Sequence, residues 1–420
     1  MLIILSTVLL ASCAPAQVAV PSASTAPPAG SPTAAVAASP VTAPVVSPAA
    51  SPVASKVAAP AWPGSLDRAT ETLVELLNAN PGARASLPQI LQQWNPSSSN
   101  SAAPKNSLAE ADLTGDGRPE LVVGLVDPGA TASPAGPRGL VIAIHDEGGR
   151  FRSIPIPSSS TASPAAGPYV QQVADVNADG AAEVLTVSQV CGASTCTVFP
   201  AVASWAGGSY RLLTAPDLNM ASATVKLEDR DNDGRLELVL SGGLIGSAGA
   251  GVQRGRTEIY RFVGGRYELA ETQTEPTASR YLVIVDANAA FDRKDFRAAE
   301  PLYQRAATDD ALTDQRPSGG NPGPGLRAFA RFRLLLLDAI QGKDDEAREI
   351  LEQMQSLDAT TPYPAAAQVF WNFYGQTGSV EAGCNQFTES VRRQPAMLDP
   401  LNGWGYANAE IKADEVCKVP

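Results

Sequence analysis

Asp229-Arg230-Asp231-Asn232-Asp233-Gly234-Arg235-Leu236-Glu237 is one of three copies of a single loop. The others are Asp112-Leu113-Thr114-Gly115-Asp116-Gly117-Arg118-Pro119-Glu120 and Asp175-Val176-Asn177-Ala178-Asp179-Gly180-Ala181-Ala182-Glu183. Each copy carries oxygen side chains at positions 1, 3 and 5, Gly at 6 and Glu at 9, and each runs into an apolar stretch of β type. Alternate inward oxygens suit a hard cation. Calcium takes six to eight oxygens at about 2.3–2.6 Å. The backbone carbonyl at position 7 (Arg118, Ala181, Arg235) adds a further ligand, and Gly allows the sharp turn at positive φ. No helical pattern follows the loops and the Glu is not at position 12, so they are not EF-hands. The metal set is therefore Asp112, Thr114, Asp116, Arg118 and Glu120; Asp175, Asn177, Asp179, Ala181 and Glu183; and Asp229, Asp231, Asp233, Arg235 and Glu237, with Ca2+ as the cation. The third loop has four carboxylates against three in each of the others, and is expected to bind most tightly. Asp and Asn also suit turns closed by side-chain to backbone bonds. Three copies in register with a shared Glu favour the metal.

The pattern Asp-x-Asp/Asn-x-Asp-Gly-x-x-Glu, followed by Leu-Val-type residues, resembles the FG-GAP or VCBS repeat. The resemblance covers roughly residues 105 to 275 and implies blades of a calcium-binding β-propeller. A closed propeller needs about four to eight blades, and three are readable here. Each loop and its strand is followed by a connection and then a hairpin. The hairpins turn at Gly148-Gly149, Gly207-Gly208 and Gly264-Gly265, a strand–turn–strand signal. The expected form is a partial, open propeller flanked by helices; a β-sandwich built from the same hairpins is the alternative.

The start of the chain is apolar from Met1 to Leu10 and reaches Leu10-Ala11-Ser12-Cys13. This resembles a bacterial lipobox, implying lipidation of Cys13. The run is too short to span a bilayer and reads as a targeting segment, although it lacks Lys and Arg. Residues 14 to 63 are nearly all Pro, Ala, Ser, Thr and Val, with Lys56 the one charge; such a stretch builds no core and reads as a disordered tether. With Cys13 lipidated, four cysteines remain: Cys191 with Cys196, and Cys384 with Cys417. An oxidising compartment makes both disulfides natural. CxxC spacing is absent, which argues against zinc. A formal charge of −12 argues against nucleic-acid binding.

Leu66, Leu73, Leu76 and Leu77 give an apolar helical face that Pro81-Gly82 interrupts before a short helix from Leu87 to Trp94. Beyond the β repeats, Ala287 to Ala307, Phe332 to Leu357 and Ala366 to Arg393 each alternate small and large residues across a short turn. They resemble tetratricopeptide repeats: Ala347 and Ala382 lie 35 residues apart, near the usual period of about 34. Pro301 and the insertion from Asp309 to Gly325 depart from that pattern. Such an array implies a groove for a partner segment, or serves only to cover the end of the β region.

The domains are thus 1–13 leader with lipobox, 14–63 linker, 64–104 helical hairpin, 105–277 β repeats and 278–420 helical array. The fold class is α+β multidomain, with antiparallel repeats before α-helical hairpins. Catalysis leaves little trace. There is a single His, His145, expected as an exposed turn residue beside Asp146. Gly-x-Ser-x-Gly, the phosphate loop and His-Glu-x-x-His are absent. The reading is a lipid-anchored, extracytoplasmic calcium-binding scaffold for an envelope protein partner, without enzymatic activity. The competing class is an envelope glycan-binding protein or hydrolase, recognisable by two unassigned carboxylates in an acidic interdomain cleft.

Overall fold

The computed structural model describes residues 59–95, 104–129, 136–158 and 166–419. Cys13, the leader and all but the last residues of the linker lie outside them. Among the described residues, no helix is long and apolar enough to cross a membrane.

Two helices come first, α1 (Leu66–Ala79) and α2 (Leu87–Gln93). Ser65 caps α1 through its side chain, which accepts from Arg68 N, and a 3-10 turn at Pro81–Ser86 separates the pair. Three antiparallel sheets follow. The first is β1 (Ser107–Ala111), β2 (Glu120–Val126), β3 (Gly139–Asp146) and β4 (Phe151–Pro155). The second is β5 (Ala166–Ala174), β6 (Glu183–Cys191), β7 (Cys196–Trp205) and β8 (Tyr210–Leu212), with β9 (Met220–Ala221) on β7. The third is β10 (Thr224–Glu228), β11 (Glu237–Gly242), β12 (Arg256–Val263) and β13 (Arg266–Thr274). Each sheet runs in sequence order and none is closed on itself. Each therefore has a strand before the loop that was not readable beforehand, and the second sheet gains β9 besides. The strand before the loop is β1, β5 or β10, and the loop is the turn between a sheet's first two strands. These strands are poor in continuous apolar residues, which hid them.

Alternation along a strand sends neighbouring side chains to opposite faces, and here it stacks the layers. Leu121, Val123 and Leu125 point one way and bury Leu73, Leu77, Ile90 and Trp94 of the helical pair. Val122 and Ala143 point the other way, onto Val184, Ala203 and Tyr210 of the second sheet. Leu185 and Val202 then bury Val225, Leu227, Leu238, Leu240 and Tyr267 of the third. Each fully buried Leu contributes about 1.5–3 kcal/mol, so the helical pair is an integral cap on the first sheet.

Six helices of 13 to 19 residues follow: α3 (Arg280–Asp292), α4 (Phe296–Thr308), α5 (Gly323–Gln341), α6 (Asp344–Leu357), α7 (Tyr363–Thr377) and α8 (Val380–Arg393), with a short α9 (Ala413–Val416). Pro301 lies inside α4. Their core joins Phe291, Tyr303, Phe332, Phe370 and Phe387 into one cluster, to which the β region contributes Val252. The Gly-rich connection after β11 meets the C-terminal tail through Val252 N to Trp404 O (3.2 Å) and Tyr406 N to Gly249 O (3.1 Å). Both expected disulfides are formed: Cys191–Cys196 closes β6 onto β7, and Cys384–Cys417 ties α8 to the tail.

Candidate metal centre

The three loops share one hydrogen-bond frame. The Asp at position 1 accepts from the Gly N–H at position 6: Asp112 from Gly117 at 2.7 Å, Asp175 from Gly180 at 2.9 Å, Asp229 from Gly234 at 3.1 Å. The Asp at position 5 accepts from the N–H at position 7: Asp116 from Arg118 at 2.9 Å, Asp179 from Ala181 at 2.9 Å, Asp233 from Arg235 at 2.8 Å. The Glu at position 9 accepts from the N–H at position 2: Glu120 from Leu113 at 2.8 Å, Glu183 from Val176 at 3.0 Å, Glu237 from Arg230 at 2.9 Å. Gly117, Gly180 and Gly234 have φ of 83°, 90° and 84°, while Ala178 and Asn232 at position 4 also turn left-handed, both at 60°. These bonds order the loops by themselves, as turn chemistry allows.

The loops differ in what else their carboxylates meet. Among the described residues, one group of three acids converges: Asp229, Asp231 and Glu237, with oxygens within 4.8 Å of one another. Oxygens on opposite sides of one calcium ion stand about 4.6–5.2 Å apart, so these three fit a single ion. Asp233 stands outside the group and Arg235 supplies its N–H to Asp233. In the first loop Asp116 is paired with the guanidinium of Arg118 at 2.7 Å, and Thr114 Oγ1 turns back to Asp112 at 3.4 Å. In the second, Asn177 donates to Glu183 at 3.4 Å. Neither loop gathers three acids.

A further series runs across the strands. One residue beyond the last ladder pairs, Leu121–Ile144, Val184–Ala203 and Leu238–Tyr260, the Glu meets His145 on β3, Ser204 on β7 and Arg261 on β12, each three residues before its Gly-Gly turn. His145 is buried, contrary to its expected place in an exposed turn. Its Nδ1 lies 3.8 Å from Glu120 Oε1 and its Nε2 3.0 Å from the Tyr210 hydroxyl, with Trp205 alongside. Burial holds the imidazole below its usual pKa and the Glu120 carboxyl above its own. Ser204 bonds Glu183, whose carboxyl burial pushes up to about 7. Arg261 reaches Asp231 at 3.2 Å and Glu237 at 3.8 Å.

The covering tyrosines recur too. Tyr210 and Tyr267 each fall two residues after a Gly-Gly pair, and each belongs to the next sheet. Tyr210 sits over Glu120 and His145; Tyr267 lies near Glu183 and donates to Leu236 O at 2.8 Å. Adjacent loops are also joined directly, Ala182 N to Asp112 O at 2.7 Å and Leu236 N to Val176 O at 3.0 Å. Among the described residues no fourth sheet covers the third loop, and Asp229 and Asp231 are exposed. The residues opposite the three Glu on the first strands are Ala111, Ala174 and Glu228; the third face has become charged, as a terminal repeat requires. Sequence reasoning missed this series because it needs the strand register. The fixed offset from the Gly-Gly pairs was the signal that could have revealed it.

An FG-GAP-like repeat family model matches residues 112–186, which span the first two loops. Neither the search of curated proteins nor that of solved structures returned a match.

Proposed function

We propose that this chain is a lipid-anchored, extracytoplasmic scaffold that grips calcium at its third loop and holds a protein partner without performing catalysis. The observation that carries the reading is the convergence of Asp229, Asp231 and Glu237. In this account the row of sheets is an open, propeller-like stack and the six helices are a tetratricopeptide-like array that offers the partner surface. The cation pins the open end of the stack and contributes to folding. Cys13, lipidated, tethers the chain to the membrane through the Pro/Ala-rich linker. The two disulfides fit an oxidising compartment outside the cytoplasm.

The test is affinity capture of the full chain from membranes, with calcium and with a chelator. The reading expects a protein partner that is retained with calcium and lost with the chelator, and a Cys13→Ser chain that leaves the membrane fraction. A chain that captures nothing in either buffer, or that stays in the membrane fraction without Cys13, contradicts it.

A further inference from the structure

Three arginines are buried in the helical region, and two have carboxylate partners. Arg280 bonds Asp314 at 2.7 Å and the carbonyls of Ala306 and Asp309. Arg331 bonds Asp358 and the carbonyl of Ala307. Arg333, two residues further along the same α5 and on another face, has none among the described residues. It is 2% exposed. Its Nε donates to the Tyr303 hydroxyl at 2.9 Å and its Nη1 to Val416 O at 3.2 Å. Its Nη2 makes no hydrogen bond among the described residues. Phe291 stacks on the guanidinium at 3.9 Å, with Tyr303 and Phe329 at 5.5 and 5.9 Å. Aromatic faces attract the cation, but they accept no in-plane N–H, so the Nη2 N–H groups are left without an acceptor. A buried charge lacking a hydrogen-bonded counter-charge is costly.

Those donors belong to a residue that lines a cavity of about 190 Å³. Asn288, Asp292, Glu410, Glu415 and Lys418 line it as well. The tail closes one side, held by the Arg333 bond to Val416 and by the Cys384–Cys417 disulfide next to it. The volume is below the roughly 300–1,000 Å³ of pockets for drug-sized ligands, so the occupant is small. A guanidinium presents its N–H pairs in the geometry that a carboxylate accepts bidentately. The three acids outnumber the two cations, Arg333 and Lys418, so the lining opposes a simple anion and suits a ligand that also carries an ammonium group.

We propose that this cavity binds a small zwitterion of α-amino-acid type, its carboxylate on Arg333 and its ammonium group on the acidic lining of Asp292, Glu410 and Glu415. The positions of the fixed charges select both ends of the ligand, and the aromatic cage holds the guanidinium in place for it.

The experiment is calorimetric titration of the full chain with each of the common L-α-amino acids. For the tightest binder, the methyl ester and the N-acetyl derivative follow. The proposal expects at least one free amino acid to bind, and tenfold or greater loss for each derivative. Arg333→Lys, checked for native circular dichroism, should lose at least tenfold as well. Absence of binding by every free amino acid overturns the proposal. So does an ester that binds as tightly as the acid, because Arg333 then reads no carboxylate. An N-acetyl derivative that binds equally removes the ammonium half and overturns the zwitterion assignment. The ligand-side comparisons use the unaltered chain, so they stand even where the Lys variant does not fold.

Discussion

The two inner loops and the end loop share a hydrogen-bond frame but differ in surroundings. In each inner loop the Glu at position 9 is covered by a tyrosine of the next sheet, and its neighbour across the strands is His145 or Ser204. At the end of the row no further sheet follows among the described residues. There the partner is Arg261, the strand position opposite the Glu is Glu228 in place of an alanine, and Asp229 and Asp231 face outward. The comparison teaches that positions 1, 5, 6 and 9 make the turn, while position 3 and the place in the stack decide whether acids gather. Of the three loops only the third has a carboxylate at position 3, Asp231, and among the described residues its loop is where three acids converge.

The largest expected break between inner and end loops is in pH dependence. Glu183 is 1% exposed and its carboxyl is pushed up to about 7 by burial. An acid whose folded pKa exceeds its unfolded value favours the fold most below the unfolded pKa, and that contribution is lost as pH rises through the folded one. Between pH 5 and pH 8, without divalent cations, this loss amounts to roughly 3 kcal/mol. Glu183→Gln should flatten the pH slope in denaturant melts. An equally steep slope in the variant would place the effect elsewhere.

Next in size is the calcium response. A ligand that binds only the folded chain stabilises it by about 2.7 kcal/mol at a hundredfold excess over its Kd. Thermal melts should show such a rise for the unaltered chain. Asp231→Asn should remove most of it and Asp233→Ala much less, because Asp233 stands outside the converging group. A smaller effect concerns Arg261, which sets a positive charge against Asp231 and Glu237. Arg261→Met removes about 1 kcal/mol of repulsion toward a bound cation and should tighten calcium binding several-fold; weaker binding would show that the arginine supports the site. The smallest effect is at Ala178, left-handed at 60°. Ala178→Gly should stabilise the chain by about 0.5–1 kcal/mol through relief of that conformation, measured as a shift in urea midpoint, with no change in calcium binding.

Much of this was legible in the residues. The loops gave three repeats in their order along the chain, each running into a strand, and the Gly-Gly pairs gave the hairpins. Leu73 and Leu77 gave the first helix, and the spacing of the cysteines gave both disulfides. The first strand of each sheet was not legible: Ser107–Ala111 and Thr224–Glu228 mix small, polar and charged residues and become strands only by pairing with an apolar neighbour. His145 was misplaced for a related reason. Its neighbour Asp146 and the following Gly-Gly suggest a turn, whereas burial depends on Tyr210 and Trp205 arriving from another sheet. At the site, the acids were legible and their convergence was not, since it depends on which loop stands last in the row.

The most direct test is calorimetric titration of calcium into the full chain and into its Asp116→Asn, Asp179→Asn and Asp231→Asn variants. The account predicts one dominant binding event per chain, kept in the first two variants and lost in the third. Binding that survives Asp231→Asn, or that divides into three equal events, would contradict it.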